Sequence, residues 1–186
     1  VTYYATSSIY EKTKDPAMKP PEILRRMVEE GKLVGMISLA DLARSVFARL
    51  ERSIQAKALA VTFDFPGDCS VTADEGRIGQ VVENFATNAV KYTPAGGAVT
   101  LRAVGYELFC RVDVTDTGPG IPESEQARIF QRFYRSPSAS EAEGVGIGLY
   151  LARQIAAGQG GYLKVSSRPG EGSTFSLFLP RAEERT

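Results

Sequence analysis

From Gly79 to Pro94 the chain reads GQVVENFATNAVKYTP, a stretch whose spacing predicts one amphipathic helix. Asp74 is placed to cap its start and Pro94 must end it, because proline cannot donate to the helical ladder. With about 100° of rotation per residue, Ile78, Val81, Val82, Phe85, Ala89 and Tyr92 share an arc of roughly 100°. Asn84, Asn88 and Lys91 share a second arc of roughly 60°, beside the apolar one rather than opposite it. Polar groups on the flank of a buried face sit at the lip of a pocket or form a solvated edge. Two amides and an ammonium there supply donors for phosphate oxygens and an amide oxygen for a hard cation.

The whole chain must fold around that helix. Its 186 residues, 43% hydrophobic and 24% charged, suit one globular domain with some attached material. Lys and Arg number 22, as do Asp and Glu, so no net field favours nucleic acid or an anionic membrane. No apolar run reaches the roughly 18 residues that a membrane span needs, so no insertion of this segment is expected. The opening residues VTYYAT lack the basic leader and apolar stretch of a signal peptide. Cys69 and Cys110 have no metal-type spacing and read as reduced, intracellular thiols. Histidine is absent, which removes His-based acid–base catalysis, His ligation of metals and phosphohistidine from this chain.

Residues 1–36 read as an N-terminal appendage: KTKDPAMKPP is a linker with three prolines, followed by a short helical pattern from Glu22 to Lys32. Leu39, Leu42, Ala43, Val46, Phe47, Leu50 and Ile54 predict one further helix, with Ser38 as its N-cap. Strands are expected at Leu59 to Phe65, Cys69 to Ala73, Ala98 to Val104 and Leu108 to Val114. Helices are expected from Glu123 to Phe133 and from Ile147 to Ala157, and a closing hairpin from Gly161 to Ser167 and Ser173 to Pro180. Strands and helices do not alternate, so an α+β fold follows: a mixed, mostly antiparallel sheet with helices on one face.

Three other stretches bear chemistry. Asp116-Thr117-Gly118-Pro119-Gly120-Ile121 ends a strand with a carboxylate and two glycines. It is either a tight turn or an acceptor for an exocyclic amine such as that of adenine. Gly144-Val145-Gly146-Ile147-Gly148-Leu149 opens a helix, where free backbone N–H groups can bind phosphate. It is neither a Walker loop nor a dinucleotide fingerprint. Ile129 to Arg135, IFQRFYR, puts aromatic anchors beside two arginines; the plain alternative is ordinary packing of Phe130 and Phe133 with Arg132 and Arg135 in water.

Taken in order, these stretches resemble the four boxes of sensor histidine kinases. Asn84, Asn88, Ala89, Lys91, Tyr92, Thr93 and Pro94 resemble the N box. Asp116, Gly118, Gly120 and Ile121 are similar to the G1 box, Ile129 to Arg135 to the F box, and Gly144, Gly146, Gly148 and Leu149 to the G2 box. The closing GEGSTF, Gly170 to Phe175, resembles the family's last hairpin. The resemblance implies a catalytic ATP-binding domain over 37–181, a polar tail at 182–186, and the Bergerat (GHKL) two-layer α/β sandwich. Residues 1–36 would then include the stub of a dimerisation hairpin.

The same resemblance implies ATP and Mg2+ as cofactors. Asn84, Asn88, Lys91 and Tyr92 would bind phosphates, with Asn88 also on the metal. Asp116 would read adenine beside Gly118, Gly120, Ile121 and Thr174, and the G2 glycines with Leu149 would cradle phosphates. Arg135 opens a lid and would join Asn88 and Lys91 in catalysis. The implied partners are a His-bearing dimerisation domain, since this chain has no His, and a downstream response regulator. The implied location is the bacterial cytoplasm, alone or as the cytoplasmic part of a membrane-anchored sensor. A GHKL ATPase clamp fits less well, because Asn84 stands where such enzymes place a water-activating Glu. A nucleotide-binding pseudokinase or a Ser/Thr kinase of the anti-sigma type is the alternative reading.

Overall fold

A computed structural model of the chain describes residues 34–136 and 145–182. The expected linker, the helix at Glu22 to Lys32, Gly144 and most of the polar tail lie outside the described residues. The fold opens with β1 (Gly35–Ser38), α1 (Leu39–Arg49), α2 (Glu51–Ala56), β2 (Ala60–Asp64) and β3 (Ser70–Ala73). It continues with α3 (Glu75–Tyr92), β4 (Ala98–Gly105), β5 (Phe109–Asp116) and α4 (Glu123–Gln126), then α5 (Gly148–Gly158), β6 (Tyr162–Arg168) and β7 (Gly172–Pro180).

Five strands form one sheet in the order β2-β4-β5-β7-β6. Only the β2–β4 pair is parallel; β4–β5, β5–β7 and β6–β7 are antiparallel. A separate two-stranded antiparallel ribbon joins β1 to β3. This is the expected α+β arrangement. Alternation along the strands decides which face is covered. Val99, Leu101, Ala103, Val112, Val114, Phe175, Leu177 and Leu179 are buried in the core beneath the helices. The other face carries Arg111, Asp113 and Ser176, where the Ser176 hydroxyl donates to Asp113 Oδ1 at 2.6 Å. Tyr162 and Phe178 also stack there, their centroids 4.5 Å apart.

The central helix forms as its pattern predicts. Asp74 caps α3 by accepting the Arg77 N–H at 3.0 Å. Its apolar arc is completely buried at Ile78, Val81, Val82, Phe85 and Ala86. Phe85 meets Phe175 of β7 with ring centroids 5.4 Å apart, which ties the helix to the sheet. Thr93 ends the helix one residue before the proline, its hydroxyl donating to Ala89 O at 2.6 Å.

Two helical expectations need correction. The stripe from Leu39 to Ile54 is divided between α1 and α2, because Leu50 leaves the helical region (φ −96°, ψ 3°) and donates to Phe47 O. Ile54 of α2 still packs against the core, so the stripe survives the break. The helix expected at Glu123 to Phe133 ends at Gln126. Turns follow it, and Phe133 adopts φ +64°, which no right-handed helix accommodates. Among the described residues no helix is long and apolar enough to cross a membrane.

Truncating Phe85 should therefore loosen helix and sheet together. Phe85→Ala is expected to cost about 3–5 kcal/mol of unfolding free energy, the range for a fully buried aromatic ring. Urea denaturation checks this, as a lower midpoint with an unchanged slope.

Candidate functional site

The polar flank of α3 faces α5 and the loop that follows β5. Asn84 and Asn88 are half-buried, and the Asn88 Nδ2 donates to Asn84 Oδ1 at 3.4 Å. A Cβ added to Gly148, the first residue of α5, would overlap the Asn84 amide. Glycine at that position therefore lets the two helices meet at the polar flank, and it joins the N-box and G2-box stretches. Gln159 at the far end of α5 closes the same helix pair: its Oε1 accepts the Asp74 N–H at 3.0 Å.

Lys91 and Tyr92 occupy the last turn of α3, with the Lys91 ammonium 5.3 Å from the Tyr92 ring centroid. The Tyr92 backbone carbonyl lies beside the loop after β5. A Cβ on Gly118 would lie 2.7 Å from Asp116 Oδ1 and 3.2 Å from the Tyr92 carbonyl oxygen. That loop is pinned from behind by the β6–β7 hairpin. Gly120, at φ +73°, passes against the Arg168 carbonyl, where a side chain would collide. The Ile121 N–H donates to Ser167 Oγ at 2.7 Å. Gln126 Nε2 donates to Ile121 O at 3.0 Å and to Ser167 O at 2.9 Å.

Asp116 lies at the bottom of this loop and is 5% exposed. Its Oδ1 accepts the Gly118 N–H at 2.8 Å, and the Ser173 N–H also bonds to the carboxylate. Burial pushes its pKa above the ordinary carboxylate value, and these two donors oppose the shift in part. A desolvated carboxylate with two fixed donors keeps lone pairs for a further hydrogen-bond donor.

The β5–β7 register corrects one expectation. Asp116 pairs with Ser173 and Thr115 with Thr174. Neighbouring residues point to opposite faces, and the Thr174 hydroxyl accordingly bonds Thr115 Oγ1 at 3.0 Å. Thr174 is thus on the far face of the sheet, and Ser173 is the residue beside Asp116. Ser167 gives its one proton to Gly172 O at 2.8 Å. Ser173 must then be the donor in the 2.9 Å contact between the two hydroxyls. The alternation Ser173, Phe175, Leu177, Leu179 carries the signal that could have found Ser173.

The F-box and G2-box stretches also meet. The Phe133 N–H donates to Gly146 O at 2.9 Å. Gly146 has φ +71°, and a Cβ there would lie 2.7 Å from the Tyr134 carbonyl oxygen. The two chain ends that flank residues 137–144 are therefore clasped together. Phe133 and Val145 are exposed beside the clasp. The Arg128 guanidinium lies 4.6 Å from the Tyr134 ring centroid. Arg135 is exposed, and its Cγ would lie 3.3 Å from a Cβ on Gly146. Leu149 and Ile121 pack against the core edge. Among the described residues no three His, Cys, Asp or Glu side chains cluster as a self-sufficient metal site.

Asp116 gives a direct pH test. Its folded pKa is raised above the unfolded value, so the folded chain takes up this proton first as pH falls. The stability deficit of the buried charge is complete above the folded pKa and fades as pH falls from that pKa to the unfolded one. Asp116→Asn should accordingly raise the Tm of the nucleotide-free chain at pH 7 and lose that advantage towards pH 4. Thermal denaturation of both proteins at the two pH values checks this.

Comparison with known proteins agrees with this geometry. Residues 73–183 match the family described as histidine kinase-, DNA gyrase B-, and HSP90-like ATPase. The chain is 40% identical over 146 residues to the adaptive-response sensory kinase SasA of a Synechocystis strain, covering 77% of this chain and 38% of that protein. It therefore spans well under half the length of such relatives. The nucleotide-free catalytic domain of histidine kinase ThkA superposes with a TM-score of 0.72 at 28% identity, covering 81% of this chain and 99% of that one. Full-length ShkA in complex with AMPPNP superposes equally well, TM-score 0.72 at 31% identity, over 82% of this chain and 32% of that one. With a buried carboxylate below a glycine loop, an Asn-bearing helix and a glycine-led helix in this fold, the chain belongs to the histidine kinase-, DNA gyrase B-, and HSP90-like ATPase family, as a catalytic ATP-binding domain of the histidine kinase type.

Proposed function

We propose that this domain binds Mg-ATP between α3, α5 and the loop after β5, and donates the γ-phosphoryl group to a histidine on a separate dimerisation domain. The observation that carries the reading is Asp116, buried yet supplied with two backbone donors. Its remaining acceptor capacity suits the exocyclic amine of adenine, with Ser173 and the Gly118 backbone beside it and Ile121 at the edge. Guanine presents a carbonyl oxygen at that position and would meet the carboxylate as a like-charged neighbour. The reading therefore includes a preference for adenine.

The phosphates would extend towards the start of α5, where Gly146 and Gly148 keep side chains away from the backbone N–H groups. The Asn88 amide nitrogen donates to Asn84, and its oxygen would be offered to Mg2+. Such an ion takes few protein ligands and completes its shell with phosphate oxygens and water, so the donor set here fits it. Bound Mg2+ would neutralise phosphate charge. Lys91 adds a cation at the end of α3, and Arg135 adds one where the lid begins. Phosphoryl transfer asks the enzyme mostly for positioning and charge stabilisation, and these residues supply both.

The acceptor imidazole is the nucleophile, so the domain needs no general base of its own. The nearest acid on α3, Glu83, agrees with that: it is exposed and pairs with Arg49 of α1 at 3.6 Å, away from the polar flank. Asn84 has no basic carboxylate to activate water. Donation rather than hydrolysis is the better fit, and it makes the pseudokinase and Ser/Thr-kinase readings secondary. The nucleotide would pass its phosphoryl group to a histidine kinase hairpin and from there to a response regulator. A relative, ThkA, has been solved in complex with the response regulator protein TrrA.

Labelled ATP tests this reading. The chain alone, with no histidine, should acquire no acid-labile, base-stable phosphate, whereas a supplied His-bearing dimerisation domain should. Asp116→Asn should weaken nucleotide binding by about 1.5–3 kcal/mol, the worth of a hydrogen bond to a charged group, and depress that labelling. Glu83→Gln should leave both near the wild-type level. Equal behaviour of the two variants would remove Asp116 from the nucleotide site.

A further inference from the structure

A single ammonium, outside every box described so far, holds the end of the central helix. Lys57 lies just beyond α2, and its Nζ donates to three carbonyl oxygens: Val90 at 2.9 Å, Lys91 at 2.7 Å and Thr93 at 2.8 Å. These are carbonyls of the last turn of α3 and of its C-cap, groups that a helix cannot satisfy internally. An ammonium has three protons, and here each has a carbonyl acceptor. The positive charge also sits at the negative end of the α3 dipole. The backbone of Lys57 holds the following turn as well, its carbonyl accepting the Gly96 N–H at 2.8 Å. Side chain and backbone of one residue thus grip the chain on both sides of Pro94.

The gripped turn carries Lys91 and Tyr92. The Tyr92 carbonyl in turn lies against Gly118, whose N–H bonds Asp116. We propose that Lys57 is a positioning residue for the nucleotide site: its three hydrogen bonds set where α3 ends and so hold Lys91 in place to receive the nucleotide. The inference rests on the nucleotide reading above, and it assigns to Lys57 no contact with the nucleotide.

A double-mutant cycle separates this role from a general contribution to stability. Mg-ADP affinity is measured by calorimetry for wild type, Lys57→Met, Lys91→Ala and the double variant, with Tm recorded for each. Lys57→Met keeps the aliphatic stem and removes all three donors. It should weaken Mg-ADP roughly tenfold in the wild-type background and much less in the Lys91→Ala background, because residues that act as a unit are not additive. The drop in Tm should be the same in both backgrounds. Lys57→Arg should recover part of the affinity, since a guanidinium still donates to some of the carbonyls. Should Lys57→Met fail to fold, Lys57→Gln, which retains one donor arm, takes its place in the cycle. An affinity unchanged by either substitution, or an equal loss in both backgrounds, overturns the positioning role. Wild-type protein that does not bind Mg-ADP at all overturns the nucleotide reading itself, and with it this inference.

Discussion

Phe85 is fully buried against Phe175, and that contact sets the rotation of α3 about its own axis. Once Val81, Val82, Phe85 and Ala89 face the sheet, Asn84, Asn88 and Lys91 have only one direction left. They must line the seam between α3 and its neighbours. Gly148 lets α5 come in close against Asn84 because it carries no side chain. Packing of an apolar stripe thus positions polar groups that contribute little to stability themselves. The desolvated Asp116 goes further and works against stability, as a buried carboxylate whose pKa is raised. In the proposed complex the adenine amine offsets that desolvation.

The loop over Asp116 is held as firmly as the helix, by different means. Ile121 packs against the core, and the rest of the hold is polar. Gly120 and Gly172 let three backbones come close, and Ser167 and Gln126 tie off the polar groups this exposes. Carbonyls and N–H groups withdrawn from water must find partners, and here the closing hairpin supplies them. The closing hairpin therefore supports the loop after β5 as the central helix supports the polar flank, and it sets Ser173 beside Asp116.

Much of this was legible in the residue order. Asp74, Pro94 and the stripe between them define α3 nearly to its ends, because caps, breakers and periodicity all act locally. The strands could be read from their alternation and the Gly-rich turns from their glycines. What could not be read depends on partners distant in the chain. The choice of Ser173 over Thr174 is a matter of register between β5 and β7, and a shift of one residue exchanges the faces. The break at Leu50 left no trace because the apolar stripe continues into α2. The loss of helix after Gln126 reflects the positive φ of Phe133 and its bond to Gly146, a partner that comes later in the chain and lies beside it only in space. Lys57 had no local signal at all, since its three acceptors come 33 to 36 residues later.

The central claim is that the carboxylate of Asp116 reads an adenine while the flank of α3 meets its phosphates. The most direct measurement is a crystal structure of this chain with Mg2+ and AMPPNP. The adenine amine is expected within hydrogen-bond distance, about 2.7–3.2 Å, of Asp116, with the phosphates between Asn88, Lys91 and the start of α5. A nucleotide bound elsewhere, or bound here with its base away from Asp116, would contradict that claim.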